Sequence, residues 1–129
     1  MAYNILVIDD SKTVRTMILK TIDIAGIPYN KIHQACNGRE GLEILKKEWI
    51  DLVLTDINMP EMNGLEMIAE MVADNLLQTV PVVVISTEGS ETRIAELKKQ
   101  GIVGYIRKPF TPEAIKTVIE DVLGGCDAK

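Results

Sequence analysis

The chain has 129 residues, 19 Asp plus Glu against 14 Lys plus Arg for a formal net charge of −5, and an apolar fraction of 47%. A chain this long buries about two-thirds of the surface its unfolded form exposes, so one hydrophobic core suffices without a metal clip or disulfide framework. The acidity argues against direct nucleic-acid binding, which depends on clustered Lys and Arg, and Cys36 and Cys126, without a C-x-x-C spacing or a His cluster, read as reduced structural thiols.

Short β-branched runs alternate with longer stretches whose apolar residues recur three and four apart, the pattern of β-then-α units. Met1 to Asn4 leads into a first predicted strand, Ile5 to Ile8, cut off by Asp9 and Asp10. That run is too short for a signal peptide or a membrane span, so a cytoplasmic protein without membrane insertion is expected. A helix follows with Val14, Met17, Ile18, Thr21, Ile22 and Ala25 as its apolar stripe and Gly26 as its stop. The second strand is Ile32 to Cys36, and the second helix carries Leu42 and Leu45, with Trp49 expected to pack at its end. Leu52 to Leu54 make the third strand, and Leu65, Ile68, Ala69 and Val72 the stripe of the third helix. The fourth strand is Val82 to Ile85; the fourth helix, from about Ser90 to Gln100, has only Ile94, Ala95 and Leu97 apolar and is thinly anchored. Val103 to Ile106 form the fifth strand. The fifth helix opens with Thr111 as cap and Pro112 in the first turn, then carries Ile115, Val118, Ile119, Val122 and Leu123. The first, third and fourth strands are apolar at consecutive positions and are therefore expected at the centre of a parallel sheet with helices on both faces. Residues 1–124 read as one α/β domain and residues 125–129 as a loose tail. No sustained apolar seam is exposed in the pattern, so a monomer is expected.

In open α/β sheets the site forms outside the carboxyl ends of the strands. Asp9 and Asp10 end the first strand, Asp56 follows the third, Ser86 and Thr87 end the fourth, and Lys108-Pro109 follows the fifth. Each has an ordinary reading by itself: Asp9 and Asp10 as loop or capping residues, Asp56 as a turn residue before Pro60 and Gly64, Ser86 and Thr87 as strand-end caps, Lys108 as a solvated charge. Together, at matching strand ends, they bring three carboxylates, hydroxyls and an amine to one edge. Three such anions repel unless a cation joins them, and Mg²⁺ suits carboxylate oxygens with several retained waters. A hydroxyl beside them is placed to serve a phosphoryl oxygen. The Lys before Pro109 is held to extended backbone, which can aim it back over the sheet edge; whether the bond is cis is not decided by the sequence.

Asp9-Asp10, then Asp56-Ile57-Asn58-Met59-Pro60-Glu61-Met62-Asn63-Gly64, then Ser86, then Lys108-Pro109-Phe110 run in this order across essentially the whole chain. The set resembles the response regulator receiver domain and, with no effector domain following, its stand-alone CheY type. The resemblance implies a flavodoxin-like, doubly wound, five-stranded parallel sheet of order 2-1-3-4-5 with five helices. It implies that Asp56 accepts a phosphoryl group from the phosphohistidine of a histidine kinase or phosphotransfer protein. Asp10 and Asp56 would hold Mg²⁺ with the backbone carbonyl of Asn58, Asp9 acting mainly through water, while Ser86 and Lys108 contact the phosphoryl oxygens. Tyr105 matches the aromatic switch position, although a half-buried strand residue is an equally ordinary reading.

A carboxylate is a weak nucleophile towards an anionic phosphoryl group, so positioning and charge neutralisation by Mg²⁺ and Lys108 must carry the catalysis. The chain would catalyse only its own phosphotransfer and dephosphorylation and is otherwise not an enzyme. The acyl phosphate adds charge and acceptor oxygens that Ser86 reaches by moving inward, vacating space for Tyr105. That repacks the face made by the fourth helix, fifth strand and fifth helix, which a downstream target protein reads; analogy suggests a flagellar motor switch. Thr87 stands where the family usually has Ala or Gly and would shield the phosphoryl group from water, whereas Asn58 and Glu88 would favour faster turnover. These modulators conflict, and no lifetime is predicted.

Two other readings stay open. Asp56-Ile57-Asn58 after a strand is similar to the start of aspartate-nucleophile phosphohydrolases, but the second Asp of that D-x-D motif is missing. A receiver-like scaffold that signals without phosphorylation is the other, and the complete set of acidic, hydroxyl and Lys residues argues against it. A flavin module of the same topology is weaker still, because flavin phosphate would meet Asp9-Asp10 without a Gly-rich cradle. His33 reads as structural or surface, and Met59, Met62, Met67 and Met71 as gap-fillers.

Overall fold

Strands buried on both faces cannot alternate polar with apolar residues, and the strands that run without interruption through Ile, Leu and Val are the ones at the centre of the sheet. The computed structural model describes residues 3–57, 59, 61–75, 80–87 and 91–124. Its elements are β1 (Tyr3–Ile8), α1 (Lys12–Ala25), β2 (Tyr29–Ala35), α2 (Gly38–Lys47), β3 (Leu52–Thr55), α3 (Gly64–Ala73), β4 (Val82–Ser86), α4 (Glu91–Gln100), β5 (Gly104–Arg107) and α5 (Pro112–Ile119), which continues as a π-helical turn, Glu120–Gly124. The five strands are parallel in the order β2-β1-β3-β4-β5. This is the doubly wound flavodoxin-like sheet that the resemblance implies, with β1, β3 and β4 in the middle.

Alternate residues of each central strand feed two cores. Leu6, Ile8, Val53, Val82 and Val84 pack with Leu42 and Leu45 of α2, Met67, Ile68 and Met71 of α3, and Leu97 of α4. On the opposite face Ile5, Val7, Leu52, Leu54, Val83 and Ile85 meet Ile18 and Ile22 of α1 and Ile115 and Ile119 of α5. Leu97 is the one fully buried side chain of α4 among the described residues, so the thin anchoring of that helix stands.

The helix starts are set by side chains that satisfy otherwise orphaned N–H groups. Ser11, Asn37, Asn63 and Thr111 each accept a bond from the backbone N–H three residues on, and Asn63 with Glu66 completes a capping box. Gly26 ends α1 with φ at 75°, a left-handed conformation that glycine adopts without a Cβ clash.

Several expectations need correction. The buried face of α3 is Gly64, Met67, Ile68 and Met71, while Val72 is 50% exposed. The flexible thioethers therefore form the core stripe that the sequence pattern assigned to Leu65, Ala69 and Val72. Met17 is 54% exposed, so the α1 stripe is narrower than its apolar periodicity suggests. Trp49 does not pack at the end of α2: it is 77% exposed, and its indole N–H donates to Asp51 Oδ1 at 2.9 Å. β2 spans Tyr29–Ala35 rather than Ile32 to Cys36, because residues 29–31 are exposed on an edge strand and join β1 through backbone pairing and the polar Asn30 to Asn4 side-chain bond rather than through apolar burial. β5 runs Gly104–Arg107, one residue later than its apolar run. Ser90 and the tail, residues 125–129, lie outside the described residues.

Candidate functional site at the carboxyl edge of the sheet

The carboxyl ends of β1, β3, β4 and β5 place the predicted residues around one point. Asp9, 2% exposed, continues the β1 ladder, its N–H donating to the Ala35 carbonyl at 3.1 Å. Its carboxylate is doubly engaged: Oδ1 accepts the Ser11 N–H at 2.9 Å and Oδ2 accepts from Lys108 Nζ at 3.1 Å. Asp10, the next residue, is exposed, and its carboxylate has no protein partner among the described residues.

Asp56 follows β3, its N–H donating to the Ile8 carbonyl at 3.0 Å. Its Oδ1 accepts the Ile57 N–H at 2.7 Å, and Oδ2 lies 3.4 Å from Lys108 Nζ. Close approach of α3 fixes this segment. A Cβ on Gly64 would sit 2.5 Å from the Asp56 carbonyl oxygen, and the Gly64 N–H donates to the Ile57 carbonyl at 2.8 Å. Burial pushes the Asp56 carboxyl above its ordinary pKa; the Ile57 N–H and the Lys108 ammonium oppose the rise, and Asp9 adds to it.

Lys108 reaches the site across a cis bond to Pro109 and from a backbone whose N–H donates to the Ser86 carbonyl at 2.9 Å. Ser86 is fully buried at the end of β4, while Thr87 beside it is exposed. With Lys108, Val14, Met17, Pro109 and Phe110, Thr87 lines a largely apolar pocket of about 270 Å³. Tyr105, one strand over, packs half-buried against the core that holds Leu97 and Ile102. Its hydroxyl is enclosed and finds no hydrogen-bond partner among the described residues. Asn58 and Glu88 lie outside the described residues.

Three carboxylate oxygens, one each from Asp9, Asp10 and Asp56, lie within 4.8 Å of one another. The set fits a small hard cation: all donors are oxygens, and one carboxylate, that of Asp10, is open to solvent and uncommitted. Asp10 is the freest direct ligand, since both oxygens of Asp9 and both of Asp56 already accept hydrogen bonds; of these the Lys108 contact to Asp56, at 3.4 Å, is the longest. The Lys108 ammonium is shared between Asp9 and Asp56, so among the described side chains one ion-paired amine faces three carboxylates.

Four contacts at the site had no forecast in the sequence. Thr55 donates its hydroxyl to the Asp56 carbonyl at 2.9 Å. Asn37, buried, donates from Nδ2 to Glu61 Oε2 at 3.0 Å, and the Gly38 N–H donates to the Met62 carbonyl at 2.8 Å, tying the start of α2 to the loop after Asp56. Arg15 donates from Nη1 to the Asp9 carbonyl at 2.6 Å. A signal for Arg15 existed: it lies three and seven residues before Ile18 and Ile22, in phase with the buried stripe of α1.

No described helix is long and apolar enough to cross a membrane. Residues 5–120 match the family model of the response regulator receiver domain. The chain is 41% identical over 124 residues to chemotaxis protein CheY1 of Helicobacter pylori strain J99, an alignment covering 95% of this chain and 98% of that protein. It is 39% identical over 121 residues to a chemotaxis protein CheY homolog of Campylobacter jejuni, covering 93% and 92%. Among solved structures, chemotaxis response regulator CheY4 of Vibrio cholerae is similar with a TM-score of 0.83 at 31% identity, covering 95% of this chain and 100% of that one. Matched to the family model over residues 5–120, and 39–41% identical to these CheY relatives over nearly its whole length, the chain belongs to the response regulator receiver domain family.

Proposed function

We propose that this receiver works in the cytoplasm as the phosphorylation-controlled switch of a chemotaxis-type two-component system, with Asp56 as phosphoacceptor. The observation that carries the reading is the convergence of Lys108 Nζ on Asp9 and Asp56, at 3.1 and 3.4 Å, within a trio of carboxylates at the edge of a doubly wound sheet. An Asp56 oxygen attacks the phosphorus of a histidine kinase's or phosphotransfer protein's phosphohistidine. The P–N bond breaks, its electron pair stays on the imidazole, which takes up a proton, and an acyl phosphate forms. Asp10 and Asp56, with the backbone carbonyl of Asn58 as the resemblance implies, would hold a Mg²⁺ ion, which would supply charge neutralisation for the transferring group.

The other steps belong to the chain itself. The Ile57 N–H fixes one Asp56 oxygen and leaves the other facing Lys108, so the attacking atom is already aimed. Lys108 is positioned to follow the developing phosphoryl charge, and the Ser86 hydroxyl, at the end of β4, to meet an oxygen of the product. Tyr105 has an enclosed hydroxyl without a hydrogen-bond partner among the described residues and so has something to gain from a second position. Its rearrangement alters the α4–β5–α5 face that a downstream target, of the flagellar motor-switch kind, would read. Thr87, at the rim beside Lys108, is placed to limit water access to the acyl phosphate. The protein is its own substrate and turns over no other.

Incubation with acetyl phosphate and Mg²⁺ followed by mass spectrometry tests this. One phosphoryl group on Asp56, absent from Asp56→Asn, is expected. Sustained multiple-turnover release of phosphate from generic esters would instead favour a phosphohydrolase, and no labelling would leave only a scaffold.

A further inference from the structure

Arg15 lies on the second turn of α1, half-buried, and its guanidinium holds two elements at once. Nη1 donates to the Asp9 carbonyl at 2.6 Å, and Nε donates to Oε1 of Gln34, on β2, at 3.0 Å. Its root is fixed, because α1 is capped by Ser11 and buried through Ile18 and Ile22. Every polar group of Asp9 is thereby tied: the N–H to Ala35, the carboxylate to Ser11 and Lys108, the carbonyl to Arg15. The carbonyl belongs to the peptide that joins Asp9 to Asp10. Asp10 itself is exposed and has no partner of its own among the described residues, so the orientation of that peptide sets where its side chain leaves the backbone.

We propose that Arg15, anchored on Gln34, is a positioning residue for the cation site: by holding the Asp9 carbonyl it fixes the Asp9–Asp10 peptide and presents the Asp10 carboxylate towards Asp56. The proposal rests on the reading of the site as a Mg²⁺-dependent phosphoacceptor. A purely Coulombic role for Arg15 makes the opposite forecast, since deleting a positive charge beside an acidic cluster strengthens its pull on a cation.

Calorimetric titration of the full chain with MgCl₂, alongside thermal melting in EDTA, separates these. Arg15→Met deletes both bonds, and Gln34→Ala, on an exposed edge-strand position, deletes only the anchor. Loss of outer-shell support typically weakens metal binding by about 10-fold or more, so Arg15→Met is expected to weaken Mg²⁺ binding about 10-fold and Gln34→Ala by a smaller factor. Melting in EDTA should stay close to wild type. Wild-type or tighter affinity in Arg15→Met overturns the proposal, and so does a drop in EDTA melting temperature that parallels the lost affinity, the mark of general loosening. Unchanged affinity in Gln34→Ala beside a weakened Arg15→Met overturns Gln34 as the anchor. Should Arg15→Met not fold, Gln34→Ala decides alone: weaker binding supports the brace and unchanged binding refutes it. Absence of Mg²⁺ binding by the wild type would instead overturn the phosphoacceptor reading.

Discussion

Replacing Asp56, the proposed phosphoacceptor, by its neutral isostere should make the protein more stable. Asp56→Asn keeps the shape and an oxygen to accept the Ile57 N–H, but deletes one charge of the carboxylate trio. At an effective dielectric constant of about 20, two carboxylate oxygens lying within 4.8 Å of each other repel by at least about 3.5 kcal/mol, and a carboxylate 3.4 Å from an ammonium is attracted by about 5 kcal/mol. Asp56 takes part in two such repulsions and one such attraction, so the balance runs against it by about 2 kcal/mol before solvent screening of the exposed Asp10 reduces its share. Burial of the Asp56 carboxylate adds in the same direction. A net gain of about 1–2 kcal/mol at neutral pH without divalent cation is expected, roughly 3–6 °C in melting temperature for a domain of this size.

The pH dependence has a fixed sign. The folded pKa of Asp56 lies above the ordinary value of 3.8, so this carboxyl favours folding while it is protonated and loses that contribution as pH rises through the folded value. The advantage of Asp56→Asn should therefore be small near pH 4, grow on going upward, and level off once the wild-type carboxyl is ionised. Urea unfolding followed by circular dichroism in EDTA, from about pH 4 to about pH 8, measures it. Added MgCl₂ should raise wild-type stability by mass action and narrow the gap. A variant less stable than wild type at neutral pH, or an advantage independent of pH, would show that repulsion does not govern the cluster.

Lys108→Met removes the one amine aimed at the transferring group, and labelling by acetyl phosphate with Mg²⁺, followed by intact mass, should slow by about 10²–10³-fold. In Gly64→Ala the new methyl would lie 2.5 Å from the Asp56 carbonyl oxygen and 3.0 Å from the Ile57 Cα. Backbone must then shift, for a loss of about 1–3 kcal/mol and slower labelling of Asp56; an unchanged melting temperature refutes the contact. Tyr105→Phe deletes an enclosed hydroxyl without a partner and should gain about 1 kcal/mol in urea unfolding. A loss there would show that the hydroxyl is bonded.

The parts of the fold that were legible in the sequence are those where burial leaves one chemical option. β1, β3 and β4 announced themselves because a strand covered on both faces runs through consecutive apolar residues and admits a buried polar one only at its carboxyl end, as at Thr55 and Ser86. β2 and β5 blurred at their ends because an edge strand pairs through backbone that any side chain can carry. The face of α3 was misassigned since Met67 and Met71 look like fillers on paper, while the aliphatic residues around them supply an equally regular stripe. Asp9, Asp10, Asp56, Ser86 and Lys108 were legible as a site because an open α/β topology converts strand ends into neighbours. The supporting contacts were not. The Asn37 to Glu61 bond joins residues 24 apart in two loops, and the Thr55 hydroxyl is hidden inside an apolar strand. Trp49 turned outward because an indole N–H two residues before an Asp has a local partner, an option that apolar periodicity does not weigh.

The ion pair between Lys108 and Asp9 spans 99 residues of sequence. During synthesis the acidic residues leave the ribosome long before the amine that relieves them. Until the last strand emerges, a native-like gathering of the three carboxylates lacks the Lys108 partner that the finished edge supplies. A polypeptide truncated before residue 108 thus lacks more than an edge strand: it keeps the repulsion and forfeits the counter-charge. Completion of the ion-paired edge and completion of the domain become a single event.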